Sequence, residues 1–145
     1  MKVQFDEDTI RGLSSELMRA LNSLRELAAL SQSDFLADPH KIASAKYNFI
    51  VAIEAAVDIG SHLISKNRWR TPESYADTFR VLGEEGVFEE PFVHDLVRMA
   101  RFRNRLVHLY WKVDNREVYR ILTTRLDDLE RFMKEIGRYI GLGRS

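Results

Sequence analysis

Pro91-Phe92-Val93-His94-Asp95-Leu96-Val97-Arg98-Met99-Ala100-Arg101-Phe102-Arg103-Asn104-Arg105-Leu106-Val107-His108-Leu109-Tyr110 is the stretch that decides the fold class. Val93, Leu96, Ala100, Arg103, Val107 and Tyr110 recur at alternating spacings of three and four, which places them on one stripe of a helix. Pro91 suits the first helical turn, where its missing N–H costs nothing, so a helix is expected from Phe92 to about Leu109. Arg103 is the anomaly on that stripe. A buried charge deprived of its partner costs about 3–5 kcal/mol, so either a carboxylate lies opposite or the stripe faces a cleft.

Working outward, the same periodicity fills the chain. A first helix is expected from about Asp6 to Leu30, with Asp6, Glu7 and Asp8 at the positive end of its dipole and Ser31-Gln32-Ser33 ending it. Its apolar face is Ile10, Leu13, Leu17, Leu21, Leu24 and Ala28. Asp38-Pro39 reads as a cap followed by a first-turn proline, opening a second helix that runs through Gly60 to about Lys66. Thr71-Pro72-Glu73-Ser74 repeats the signal for a short third helix ending at Gly83 and Gly86. After the fourth, a fifth runs from Asp114 to about Ile140 and closes at Gly141 and Gly143. No segment shows strand alternation and no repeat is visible. The expected architecture is all-α, a single-domain bundle of five helices, four long and one short.

The 145 residues contain no Cys and suffice for one core without disulfides. Phe49 to Ile64, the most apolar stretch, is interrupted by Glu54, Asp58 and His62, which argues against a membrane span. Met1 to Asp8 lacks the apolar run of a signal peptide, so the expectation is a cytoplasmic chain. The net charge of zero hides an asymmetry: residues 1–97 carry 10 basic and 16 acidic side chains, residues 98–145 carry 12 and 6. The basic last third suits either phosphates or an acidic partner, or it packs against the acidic helices.

Glu54 and Asp58 stand four residues apart in the second helix, and either is a candidate partner for Arg103; Ser61 and His62 extend that polar line. The alternative is that both acids are solvated while Arg103 snorkels along its stem. Asn104 and His108 are also four apart, so the amide can bond the imidazole and set its tautomer. Arg103 and His108 lie about 140° apart around the helix and flank a surface without touching. A permanently charged guanidinium and an imidazole titrating near neutrality suit a phosphate ester. His40, His94, Trp69, Trp111 and the pairs Glu84-Glu85 and Glu89-Glu90 read as surface, turn or packing residues.

Arg103-Asn104-Arg105-Leu106-Val107-His108 resembles the signature of the HEPN superfamily, an Arg followed by Asn with a His a few residues on. Tyr110, two residues after the His, makes it most similar to the HepT-like branch. Thr71-Pro72-Glu73-Ser74-Tyr75-Ala76-Asp77-Thr78-Phe79 with Leu82 and Gly86, Tyr110-Trp111-Lys112-Val113-Asp114, Tyr119-Arg120-Ile121-Leu122 and Asp127-Asp128-Leu129 look like that branch too. With Ile53 to Ile64, the likeness covers most of the chain.

This resemblance implies a toxin of a type VII-like toxin–antitoxin module acting as a metal-independent endoribonuclease, with no cofactor. It implies a homodimer through the fourth helix, so that two copies of Arg103 and His108 line one cleft over RNA. His108 is then the general acid/base, Arg103 stabilises phosphoryl charge and Asn104 positions His108, while Asp58 or Glu54, from the helix pattern alone, orients Arg103. The resemblance further implies a cognate nucleotidyltransferase antitoxin that attaches AMP to Tyr110, with Arg101, Arg105 and Lys112 near enough to receive phosphates. The other reading is a non-catalytic HEPN module that binds nucleotide or docks a nucleotidyltransferase.

Overall fold

The computed structural model describes residues 2–141. Seven α-helices follow in order: α1 (Glu7–Ala28), α2 (Gln32–Leu36), α3 (Pro39–Lys66), α4 (Tyr75–Glu84), α5 (Glu90–His108), α6 (Asn115–Thr124) and α7 (Leu126–Ile140). A single 3-10 turn, Tyr110–Lys112, joins α5 to α6, and the described residues contain no strand. Asp38 holds as the cap read from sequence, accepting the N–H of His40, and Asp6, read as a dipole residue, also caps its helix by accepting the N–H of Thr9. The cap-plus-proline signal at Thr71-Pro72 does not start α4: Ser74, three residues on, accepts the N–H of Asp77 and caps it.

Two helices beyond the expected five have local causes. α1 ends at Ala28 with Ala29 as its C-cap, and Ser31, read as its stop, instead accepts the N–H of Asp34 and caps α2, whose Phe35 is fully buried against Tyr119. A five-residue helix is too short to show a period. The expected fifth helix breaks at Arg125. Thr123 and Thr124 turn their hydroxyls back onto the carbonyls of Tyr119 and Arg120, a contact that bends helices, and Asp127 and Asp128 then suit a new N-terminus. Gly141 ends α7 at φ +84, while Gly143 lies outside the described residues.

α3 is the axis of the bundle, and all the other helices pack on it. Contrary to the sequence expectation, it is long and apolar enough to cross a bilayer by length and composition. Here its apolar faces are instead buried among helices: Phe49, Ile53, Ile59 and Leu63 have 1% exposure or less. Gly60 is where α4 crosses it, for a Cβ there would stand 2.8 Å from Thr78 Cγ2 and 3.0 Å from Leu82 Cδ1. α5 in turn lies against α3 through Phe102, whose ring meets Phe49 edge-on at 5.2 Å. Thus α3 and α4 together fix the face of α5 that carries Arg103.

Candidate functional site

Arg103 reaches from α5 to α3, where its Nε donates to Glu54 Oε1 at 3.0 Å and its Nη2 donates to the same oxygen. Nη1 donates to Asn104 Oδ1 at 3.1 Å, and the guanidinium lies 4.5 Å from the centre of the Tyr75 ring at the start of α4. With its side chain only 13% exposed, Arg103 is held on three sides. Among the described residues three of its five N–H groups are engaged, leaving two for an incoming anion. The carboxylate expected opposite it is therefore Glu54. Asp58, one turn on, is exposed and makes no ion pair among the described residues. Partial desolvation, then the negative charges of Glu54 and Glu16, push its carboxyl above the ordinary value, the opposite of what pairing with an arginine would do.

His108 is the last residue of α5 and is exposed. The expected bond from Asn104 is not formed: Asn104 Oδ1 faces Arg103, and among the described residues no hydrogen bond holds the His108 ring. The amide competes between two neighbours, and the adjacent guanidinium, being charged, wins. Beyond His108 the helix cannot continue in register. Leu109 leaves helical geometry at φ −131, and the chain tightens into the 3-10 turn with Lys112 N–H on the carbonyl of Leu109. This turn presents Tyr110, 38% exposed, and Trp111, 81% exposed, so the stripe read through Val107 and Tyr110 is core only as far as Arg103.

A family model of ribonuclease HepT-like proteins matches residues 17–136, which span α5 and the whole of this arrangement. The chain belongs to that family. It is 28% identical to YutE of Bacillus subtilis over 128 residues, covering 87% of this chain and 88% of that protein. It is 29% identical to the mRNA nuclease HepT of Shewanella oneidensis over 83 residues, 57% of this chain and 62% of the relative. Among solved structures, the tri-AMPylated Shewanella oneidensis HEPN toxin in complex with MNT antitoxin superposes with a TM-score of 0.84 at 24% identity, over 92% of this chain and 99% of that one. The HEPN-like fold is thereby shown.

Two residues of this HepT-like chain escaped sequence reading. Tyr75 lies on a different helix from the motif, and only the crossing of α4 over α3 brings its ring to Arg103. Its position is braced by Arg70, which grips Asp77 with two hydrogen bonds (2.7 and 3.1 Å) and also binds Glu84. Those bonds, with the N–H of Glu73, pull the Asp77 carboxyl down to about 2. Lys46 on α3 is 5% exposed and has no carboxylate partner among the described residues. Its Nζ donates to the Tyr110 carbonyl at 3.1 Å and sits 4.2 Å from that ring's centre, so it anchors the turn, and burial lowers its ammonium pKa. A lysine one position after Ala45 on a buried face was the available signal.

The three candidate phosphate ligands differ. Arg105 is bound bidentately by Glu117 of α6 at 2.6 and 2.9 Å, whereas Arg101 and Lys112 are exposed and unpaired among the described residues. His62 does not extend a site: its Nε2 accepts the N–H of Asp6 at 2.9 Å and ties the N-terminal segment to α3. Trp69 packs edge-on against Tyr139. No three His, Asp or Glu side chains gather as a metal site among the described residues.

Proposed function

We propose that this chain is the ribonuclease toxin of a toxin–antitoxin pair, cleaving RNA without a metal at a site built from Arg103 and His108 of two subunits. The observation that carries the reading is the Arg103 cradle: Glu54, Asn104 and Tyr75 hold the guanidinium by one edge and one face, leaving two N–H donors for a phosphoryl group. His108 takes the proton of a ribose 2′-hydroxyl as its oxygen attacks the adjacent phosphorus. The 5′-oxygen then leaves and takes that proton from the imidazolium, giving a 2′,3′-cyclic phosphate and a free 5′-hydroxyl and restoring neutral His108. Arg103 balances the negative charge that grows on the phosphoryl oxygens.

One subunit does not suffice, because Arg103 and His108 diverge by about 140° around α5. A two-fold axis near the end of α5 brings the pairs together. Val107, Leu109 and Trp111, at 41, 45 and 81% exposure, support a homodimer contact there. Tyr110 is the acceptor of AMP from a nucleotidyltransferase antitoxin: its phenol oxygen attacks the α-phosphorus of ATP, and pyrophosphate leaves. Its exposed ring, the AMPylated HEPN toxin among the neighbours and the fixed turn beneath it support that role. The added phosphodiester and base would obstruct RNA by charge and volume. This reading implies a cytoplasmic setting.

Cleavage of a mixed RNA in EDTA tests the proposal, using unmodified protein beside Arg103→Ala and His108→Ala variants whose folding and dimerisation match wild type. Cleavage by wild type alone is the expected result. Cleavage by all three places the activity elsewhere. No cleavage by any, with intact mass showing unmodified Tyr110, turns the conclusion to a non-catalytic module that binds nucleotide or docks a nucleotidyltransferase.

A further inference from the structure

We propose that the cleft between α5 and α6 is a separate subsite that holds one nucleotide unit of a single-stranded RNA. Its ligand class rests on the nuclease reading above; its location and chemistry rest on the cleft itself. The cleft has a volume of about 290 Å³, near the ~300 Å³ lower end for small-ligand sites. Arg98, Arg101, Arg105, Arg120 and Arg125 line it. Among the described residues two carboxylates, Asp95 and Glu117, line it with them. Their ion pairs are consumed internally: Asp95 meets Arg98 at 3.2 Å and Arg125 at 3.9 Å, and Glu117 takes Arg105. Arg101 and Arg120 are left without an ion-pair partner among the described residues, one on each wall.

The floor is different in kind. Met99, Phe102 and Ile121 close the bottom, so the cleft combines an apolar base with planar cations on its rim. That combination fits a nucleobase packed on the floor or against a guanidinium, with the flanking phosphates on Arg101 and Arg120. The larger cleft between α4 and α5, about 600 Å³, opposes three arginines with Glu84 and Glu90 and lacks this excess of charge.

The helix places the subsite usefully. Arg98, Arg101 and Arg105 follow at spacings of three and four along one flank of α5, while Arg103 lies about 160° round the helix from Arg101 and Arg105. His108, three residues past Arg105, is only about 60° off that flank. A strand whose scissile phosphate is at His108 therefore continues along the arginine flank toward α6. The subsite adds affinity and reach for longer RNA without taking part in bond breaking.

The test is binding of a fluorescent 2′-O-methyl oligonucleotide of about ten nucleotides, which lacks the attacking hydroxyl, to the full chain at 50 and 200 mM salt. Arg101→Ala/Arg120→Ala is compared with Arg19→Ala/Arg138→Ala, which removes the same charge from exposed positions on α1 and α7. Melting curves confirm that both pairs fold. Losing two phosphate contacts lowers the salt slope by about 1.4, so the cleft variant binds more weakly at 50 mM and its loss between the two salts is about sevenfold smaller than wild type. Equal behaviour of the two variants overturns the subsite. Unchanged RNA binding with lost binding of poly-glutamate also overturns it and assigns the cleft to an acidic protein surface. Wild-type cleavage in EDTA is scored separately: its absence with cleft-dependent binding removes the nuclease reading alone, and its presence with cleft-independent binding removes the subsite alone.

Discussion

Removing Glu54 should expose how Arg103 is held. The pair lies between extremes, with side-chain exposures of 13% for Arg103 and 37% for Glu54. Exposed pairs couple by about 0–1 kcal/mol, whereas breaking a buried pair costs about 3–5 kcal/mol. Two hydrogen bonds onto one carboxylate oxygen, partly screened, place the coupling at about 1–2 kcal/mol. Glu54→Ala, Arg103→Ala and the double variant are to be unfolded in urea at one protein concentration, because the proposed dimer would make stability concentration-dependent. The expected cycle shows Glu54→Ala as the costlier single change where it strands a shielded guanidinium, with most of that penalty absent in the Arg103→Ala background. A parallel cycle with Asp58→Ala should be additive within about 0.5 kcal/mol, as for groups that share no contact. Additivity for Glu54 together with coupling for Asp58 would show that the cradle is assigned to the wrong acid, and with it the orientation of the two free donors.

Other consequences follow from burial and titration. Gly60→Ala places a Cβ 2.8 Å from Thr78 Cγ2 at the α3–α4 crossing, and overpacking of this kind costs about 1–3 kcal/mol, read as a lower Tm. The raised Asp58 carboxyl means that the folded chain binds this proton more tightly than the unfolded chain, so stability falls as pH rises from the ordinary carboxyl value of 3.8 through the folded one. Asp58→Asn should therefore stabilise at pH 7 and lose that advantage below pH 3.8, as urea midpoints across pH will show. His62 is lowered from 6.5, first by burial and then by Lys66, and its Nε2 accepts the Asp6 N–H. Protonation is thus disfavoured in the folded state, and stability is retained above pH 6.5 and lost as pH falls from there through the folded value. The protection of the Asp6 amide, its exchange rate relative to the intrinsic rate at each pH, should fall over that window, and unchanged protection would show that the N-terminal tie does not depend on neutral His62.

Helix class, helix caps and the motif were legible because each is local. Pro39 and Pro91, the cap Asp38, the acidic start at Asp6 and the three-and-four spacing of apolar residues act within one or two turns of the chain. The same locality hid α2 and the break at Arg125, where one apolar residue or a pair of threonine hydroxyls outweighs a continuing pattern. Near Arg103 the sequence offered two acids on one face of α3, and periodicity cannot choose between neighbours one turn apart. Packing chose: the position of α5 against Phe49 brings the guanidinium to Glu54, and Gly60 lets α4 come close enough to lay Tyr75 over it. Lys46 under Tyr110 and the arginine cleft between α5 and α6 likewise join residues far apart in the chain, as Lys46 and Tyr110 do across 64 positions. Sequence by itself determined the all-helical class, the Arg-Asn-His-Tyr motif and the basic last third; tertiary structure alone decided which charges meet, because side-chain partners between helices depend on crossing geometry that no local period encodes.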